Sequence, residues 1–458
     1  MEDLPHPASF RDRSGHIFIR EDTLLRQINH SYKEDYNFLI NSGLYKTLVE
    51  KGMLIPHREI DNISPKPEAY KIIQPEHVPF ISYPYEWCFS MLKDAALLTL
   101  TIQKAAMEFG MSLKDASAYN IQFVNGMPVL IDTLSFERHE EASPWVAYRQ
   151  FCQHFLAPLC LMKYIDARIG QLMRVHLDGI PLDLASALLP FRTKFKFSIY
   201  THIHLHSKYQ RAYADKSPDT KKTKMGRTAL IGLIDSLESA IKGLEWNPPK
   251  TEWGDYYGFT NYSDDAFNLK KNMVEKYIDK INPSLVFDLG ANTGEFSRLA
   301  GKKGIKVASF DIDPLAVEKN YLDCKSNSEK NILPLLLDLT NPSPALGWAH
   351  RERASFMERG PADMVLSLAL IHHLAISNNL PFEKIAEFLS SLGKTLVIEF
   401  VPKDDPQVVR LLKTREDIFT DYNQKAFEKA FHRHFRILES SGIEASKRVL
   451  YLMEKDGA

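Results

Sequence analysis

The sequence predicts an α/β fold for its second half, a doubly wound and mostly parallel sheet that ends in an antiparallel hairpin, preceded by an α+β domain. Three observations carry this. From about residue 264 onward, short apolar runs alternate with helix-like stretches, the rhythm of parallel strands joined by crossover helices. The last two strand-like runs, FRILESSG and SKRVLYLMEK, are separated by a tight loop, which calls for an antiparallel pair. Between the halves, RAYADKSPDTKKTKMGR at 211–227 is charged and nearly free of large apolar residues, as an exposed linker is.

The elements follow in order. In the first half, MLKDAALLTLTIQKAAMEFG keeps its apolar residues on one helical face, which suits a packing helix. The aromatic run VPFISYPYEW, 78–87, reads as a hinge or acceptor pocket, or more simply as core aromatics. The runs IQFV and PVLI turn at Asn-Gly, a hairpin signal. After the linker, Leu230, Leu233, Ile234, Leu237, Ile241 and Leu244 step along an amphipathic connecting helix. Then come the helix DDAFNLKKNMVEKYIDKI, the strand SLVFDLG, the helix-like GEFSRLAGKKG, the strand KVASFDID, the helix LAVEKNYLDCK and the strands ILPLLLD and ADMVLSLA. The helix PFEKIAEFLSSL, the strand KTLVIEFV and the closing hairpin complete the sheet. The domain boundaries are thus 1–210, a linker and connecting helix at 211–254, and 255–458. With 458 residues, 44% of them hydrophobic, two cores are expected.

Charge and composition exclude several classes. Lys plus Arg is 57 against 58 for Asp plus Glu, so no global field draws in nucleic acid or an anionic membrane, and neither partner is expected. Cys88, Cys152, Cys160 and Cys324 are scattered without ligand spacing, which argues for free thiols rather than a zinc site or disulfide framework. The start, MEDLPHPASFRDRSGH, has no signal-peptide apolar core, and no uncharged apolar run reaches bilayer length, so a cytoplasmic location is expected and no metal.

The turn VFDLGANTG, 286–294, holds the chemistry. It lacks the GxGxxG of a dinucleotide turn and the GK[ST] of a phosphate loop. Asp288 stands two residues before Gly290, where a carboxylate would repel a phosphate. The ligand should be cationic nearby or rich in donors. S-adenosylmethionine fits: its amino group and sulfonium are positive, its ribose offers hydroxyls and its adenine an amine. Asp311, 23 residues after Asp288, ends the second strand where a carboxylate meets ribose hydroxyls. Asp338 ends the third strand, placed to accept from the adenine N6 amine.

Taken as a set, VFDLGANTG, FDIDP, LDLTNP and ADMVLSLALIHHL resemble, in order and spacing, the class I S-adenosylmethionine-dependent methyltransferases, with their Rossmann-like sheet, over about 255–458. The resemblance implies that Asp288, Gly290, Asn292 and Gly294 meet the methionine part of the cofactor, Asp311 and Ile312 the ribose, and Asp338 and Leu339 the adenine. It implies that Ser367 lies beneath the sulfonium. Together with SFRDRSGHIF, LKDASAYNIQF and IEFVPKDDP, the chain also resembles the NoeA-like nodulation proteins over nearly its whole length. That resemblance implies no particular acceptor.

Methyl transfer needs an in-line approach and, for a hydroxyl nucleophile, a base. His372, His373 and Glu399 stand just beyond the fourth and fifth strands, on the side where open α/β sheets take ligands. Histidine's ordinary pKa suits a base near neutral pH; as alternatives, the two histidines cap and pack a helix and Glu399 anchors the next loop. In the segment after Glu399, Arg410, Arg415 and Tyr422 read an acidic or glycan acceptor, or form a solvated face.

In the first half, Asp115, Asn120 and Asp132 in LKDASAYNIQFVNGMPVLIDTLSF resemble, by spacing, the catalytic and metal-binding loops of protein kinase-like phosphotransferases. The departures are several: no His-Arg precedes Asp115, DTL stands where DFG is expected, and residues 8–55 hold no glycine-rich loop and no clear strand lysine. Lys46 or Lys51 would have to replace the latter. The expectation is therefore a methyltransferase acting on an unidentified small-molecule, glycan or protein acceptor, behind a kinase-like domain that serves recognition. Two rivals stand beside it: a bifunctional kinase and methyltransferase, and a non-catalytic cofactor-binding interaction protein.

Overall fold

The computed structural model describes residues 4–61, 67–208, 224–247, 264–413, 415–444 and 446–457. The linker at 211–223 and the start of the second domain at 255–263 lie outside them. The chain divides into two compact units, one of Met1–Asn247 with Leu346–Arg353, the other of Pro248–Ala345 with Ala354–Ala458.

The first unit opens with β1 (Leu4–Pro5), β2 (Gly15–Arg20), β3 (Thr23–Asn29), β4 (His57–Glu59) and β5 (Ala69–Pro75). They form an antiparallel sheet in the order β1-β2-β3-β5-β4. Glu21 and Asp22 alone link β2 to β3, both with positive φ, 48° and 59°; two such residues make the tight turn whose twist matches a hairpin. The helix Phe89–Glu108 follows, with Met91, Leu92, Ala95, Ala96 and Leu100 fully buried. Beyond it β6 (Met111–Leu113) pairs with β9 (Phe136–Arg138), and β7 (Ile121–Val124) with β8 (Met127–Leu130). The latter hairpin turns at Asn125 and Gly126, with φ of 53° and 78°, as Asn-Gly predicts.

The aromatic run belongs to the core: Phe80, Tyr83, Tyr85 and Trp87 are buried, and Trp87 Nε1 donates to Ser82 Oγ at 2.9 Å. The predicted connecting helix spans Arg227–Lys242 and folds into the first unit. Its stripe of Leu230, Ile234, Leu237 and Ile241 is fully buried, and Lys104 on the long helix reaches Asp235 at 2.6 Å. An apolar stripe that complete needs a partner surface, and the long helix supplies it.

The second unit is built on β10 (Leu285–Leu289), β11 (Lys306–Asp311), β12 (Ile332–Leu336), β13 (Ala362–Ser367), β14 (Gly393–Phe400), β15 (Phe435–Gly442) and β16 (Val449–Lys455). The sheet order is β12-β11-β10-β13-β14-β16-β15, with β10 to β14 parallel. The hairpin closes it with a twist of order: the last strand, β16, inserts antiparallel between β14 and β15. Val286, Phe287, Met364, Val365, Leu396 and Val397 are fully buried, the near-continuous apolar runs of strands covered on both faces. The helix Asp264–Ile281 packs Val274, Tyr277 and Ile278 into this core. Helix formation after β10 is brief, Ser297–Gly301 only.

Candidate functional site in the second unit

Chain reversal after β10 brings the turn and two acids together. In the sheet register Asp288 lies opposite Ser309, two residues before Asp311 at the end of β11. Gly290 and Ala291 both donate to the Phe310 carbonyl at 2.9 Å, so the turn folds back over the end of β11. Gly290, Asn292 and Gly294 all have positive φ, 71°, 50° and 83°, which explains the two glycines and the asparagine. Gly294 has a second reason, since a Cβ there would come within 2.5 Å of Asn320 Oδ1. Its absence of side chain serves packing as well as any ligand.

Asp288 is 2% exposed and accepts from Ser297 Oγ at 2.6 Å. Burial, reinforced by the Asp311 carboxylate and opposed by Ser297, pushes its pKa up to about 6. Asp311, half-buried, accepts from the Asn292 amide at 2.8 Å and the Asp313 amide at 2.9 Å. Burial outweighs both amides and also raises it to about 6. Neither acid forms an ion pair among the described residues. Two carboxylates held close without a direct ion pair are costly to keep ionised, although the Lys270 charge partly offsets this at Asp288.

The other predicted cofactor positions differ in character. Ile312, 59% exposed, puts an apolar side chain next to Asp311. Asp338 accepts from the Thr340 amide at 2.8 Å and Thr340 Oγ1 at 2.6 Å, both on Oδ1, so it caps its own turn; Leu339 beside it is half-buried. Ser367 is fully buried at the end of β13, opposite Leu289, and its Oγ has no hydrogen-bond partner. An orphaned buried hydroxyl is uncommon and calls for a partner, whether water, ion or ligand.

The predicted bases are less free than their positions suggest. His372 is 1% exposed with Nδ1 unpartnered, and its ring lies 4.1 Å from that of His373. Burial, then His373, Arg448 and Lys270, hold His372 well below the usual range, and burial with Arg448 brings His373 down to about 4. Both rings thus lose the ordinary histidine pKa that suits a base near neutral pH, and burial favours their neutral form. Glu399 is engaged more fully. It is fully buried, accepts from Lys270 Nζ at 2.6 Å and the Ala369 amide at 2.7 Å, and faces Arg448 at 3.4 Å. Arg448 in turn pairs with Asp405 at 2.7 Å. With its oxygens so engaged, Glu399 ties down the loop after β13, where Ala369 has φ of 51°.

Lys270 and Arg448 went unnoticed in the sequence. Lys270 looks like one more charge on a helix, and Arg448 reaches Glu399 only because β16 pairs antiparallel with β14, setting Val449 opposite Phe400. Tyr422 is likewise interior, 5% exposed and donating to the Val401 carbonyl at 2.7 Å, so it reads no acceptor. Arg410 is exposed, and Arg415 hydrogen-bonds the Ile376 carbonyl.

In the first unit, the loop between β6 and β9 gathers Asp115, Asn120 and Asp132. Asp115 accepts from the Ser117 amide at 2.9 Å and Gln150 Nε2 at 2.8 Å; burial, then the Asp132 charge, raise its pKa. Asp132 accepts from the Leu134 amide at 3.0 Å and Ser135 Oγ at 2.7 Å, and Asn120 donates to the same Ser135 Oγ at 3.3 Å. Burial would raise Asp132, but an ion pair with Arg26 on β3, helped by those hydrogen bonds, lowers it. The cation meeting Asp132 is therefore Arg26; Lys46 sits 78% exposed beside Glu50. Among the described residues no group of three or more His, Cys, Asp or Glu is arranged to hold a metal ion.

No protein-family model matches the chain. Among solved structures it is similar to magnesium protoporphyrin IX methyltransferase (ChlM) from Synechocystis PCC 6803 with bound SAH, at 17% identity over 44% of this chain and 91% of that one, TM-score 0.31. It is also similar to the bifunctional kinase-methyltransferase WbdD, at 14% identity over 42% of this chain and 40% of that one, TM-score 0.30. A curated relative, nodulation protein NoeA of Rhizobium meliloti (strain 1021), is 35% identical over 462 residues, 98% of this chain and 95% of the relative. Identity at that level along nearly all of both chains decides the matter: the chain belongs to the family of nodulation protein NoeA.

Proposed function

We propose that the second unit binds S-adenosylmethionine and that the protein is a class I methyltransferase acting on a small-molecule, glycan or protein acceptor. The observation that carries this reading is the pair Asp288 and Asp311, at the carboxyl ends of adjacent parallel strands, facing one turn and lacking any ion-pair partner among the described residues. Such a pair is stabilised by a ligand that brings donors and positive charge. Asp311 suits ribose hydroxyls, the exposed Ile312 offers an apolar surface to an adenine, and Asp338 keeps Oδ2 for an exocyclic amine. The orphaned Ser367 Oγ is a further polar group for the methionine end.

The cofactor supplies an electrophilic methyl carbon on a sulfonium; the protein's part is to hold the acceptor in line and exclude water. Glu399, with Lys270 and Arg448, fixes the loop that leads into the helical turn of His372 and His373, and the neutral rings form an uncharged wall. Titration calorimetry with S-adenosylhomocysteine tests the reading directly: a saturable, one-site isotherm is expected, and its absence at millimolar ligand would remove the cofactor assignment.

For the first unit we propose recognition of the acceptor or of a partner, without phosphate transfer. The two-residue turn between β2 and β3 is too short to cradle phosphates, and Arg26 already neutralises Asp132. Phosphoryl transfer depends on positioning nucleotide and metal. The clustering of Asp115, Asn120 and Asp132 keeps a bifunctional kinase and methyltransferase as the second reading. Labelled ATP with magnesium separates the two, since phosphate transfer abolished by Asp132→Ala would establish the kinase. The other rival, a non-catalytic cofactor-binding protein, is removed by any methyl transfer.

A further inference from the structure

We propose that the surface turn at 191–197 in the first unit is an interfacial anchor that docks the protein on an anionic lipid bilayer. Three phenylalanines stand out of it, Phe191 at 67%, Phe195 at 77% and Phe197 at 79% exposure, with Leu188 just before at 44%. Exposed aromatic side chains grouped so closely are unusual on a soluble surface and mark an interaction site. Arg192, Lys194 and Lys196 alternate with them, and 188–200 contains no Asp or Glu. The charge of the turn is thus uniformly positive, although the whole chain is nearly neutral. This goes against the expectation, drawn from net charge, that no membrane is a partner.

The turn is held from behind. Thr193 is fully buried, its Oγ1 donating to the Pro190 carbonyl at 2.7 Å and sharing a hydrogen bond with His204 Nε2 at 2.9 Å. Ile199, 4% exposed, ties down the far end. The positive surface continues to Tyr164, where Arg192 and Lys163 both lie over the ring, at 5.8 and 5.7 Å. Asp166, two residues on, is neutralised by Arg168 at 2.6 Å.

Among possible occupants, the lipid surface fits best. Rings exposed by two thirds or more stand on a projection, not in a groove, so a folded partner would need a separate pocket for each. The boundary between headgroups and acyl chains accepts them as they are, while Lys and Arg between them stay at the phosphate level. A single-stranded nucleic acid would require ring faces for successive bases. Phe191 and Phe195 instead stand edge to face, 81° apart at 5.4 Å. As for the membrane itself, no helix of the described residues is long and apolar enough to cross one, and an anchor of this kind needs none.

Co-sedimentation of the full chain with vesicles tests the proposal, using phosphatidylcholine alone or mixed with phosphatidylglycerol. Binding is expected only to the mixed vesicles and should weaken as salt is raised. Each basic residue contributes about fivefold, so Lys194→Glu with Lys196→Glu should lower the partition on the order of a hundredfold. Phe195→Ser with Phe197→Ser should lower it by about tenfold or more. Because these side chains are exposed, melting temperatures should not move, which separates lost docking from lost fold. The proposal is overturned if the mixed vesicles are not bound, if both double variants bind them as the parent does, or if the turn's variants lose single-stranded RNA binding while vesicle binding is unchanged.

Discussion

The two units each bring a pair of aspartates together; the first neutralises one member, Asp132, and leaves Asp115 raised by burial, while the second meets neither member with an ion pair among the described residues. In the first, Asp132 is met by Arg26, Ser135 and the Leu134 amide, and its pKa falls. In the second, Asp288 and Asp311 receive hydrogen bonds but no ion pair among the described residues, the Lys270 charge opposes burial at Asp288 only in part, and each is raised to about 6. A charge cluster satisfied by its own chain stabilises the fold; one left without a counter-charge is held at a cost that a ligand can relieve. By that measure the second unit is where the proposed cofactor site belongs.

The largest effect should come from an acid of the second unit that is satisfied in the first unit's manner. Removing Glu399 takes from Lys270 and Arg448, both buried, the carboxylate they share. Breaking a buried pair in this way costs about 3 to 5 kcal/mol. Chemical denaturation of Glu399→Ala should show a loss of that order in the second unit. An unchanged midpoint would mean that Glu399 is not structural and would return it to the list of bases.

Next comes the direct contrast between the pairs. Asp311→Ala should lower affinity for S-adenosylhomocysteine by roughly fivefold to a hundredfold, the cost of leaving ligand donors unpaired, while leaving stability at neutral pH unchanged or higher. Asp132→Ala should do the reverse, destabilising the first unit by stranding Arg26 and leaving cofactor affinity alone. If Asp311→Ala unfolds the protein and binding is unaffected, the contrast collapses.

The same contrast has a pH signature. An acid raised to about 6 in the folded state loses its proton earlier in the unfolded chain. The ligand-free second unit should therefore lose stability as pH rises from about 4 to about 6 and change little above that. Cofactor binding runs the other way, because donors favour the ionised acids: affinity should rise with pH up to about 6 and level off beyond, with a slope of at most about tenfold per pH unit for each carboxylate. Calorimetry across that range reads both. Affinity independent of pH would separate these acids from the ligand.

How much of this was legible in the sequence depends on the range of the interaction. Strands β10 to β14 were plain because runs such as VFDL and TLVIEF need no context to read as buried strands, and the Asn125-Gly126 turn because its chemistry is local. The Asp288 and Asp311 pair was legible too, since both lie at strand ends whose parallel order follows from the alternation. What escaped was long-range pairing. Lys270 meets Glu399 across 129 positions and Arg448 meets it across 49, and no pattern in either segment announces it. Likewise Arg26 reaches Asp132 only through the packing of β3, and burial, which decides the histidine pKa values, is a property of the folded whole.

The smallest effect belongs to the histidines. A base working near neutral pH should have a pKa near its medium, yet His373 is brought down to about 4 by burial and Arg448, and burial holds His372 well below its usual value. Neutral in the physiological range, either ring can accept a hydrogen bond from an acceptor hydroxyl, but its weak basicity limits how far it can draw the proton in the transition state. Once an acceptor is known, the pH profile of kcat should therefore show no histidine limb between about pH 6 and pH 8. His373→Gln, which keeps an acceptor atom, should reduce kcat by less than the hundredfold or so that a true general base contributes, with KM for S-adenosylmethionine unchanged. A limb near the ordinary histidine pKa that disappears in His373→Gln would show that substrate binding restores the basicity that burial takes away, and the ring would then be the base its position first suggested.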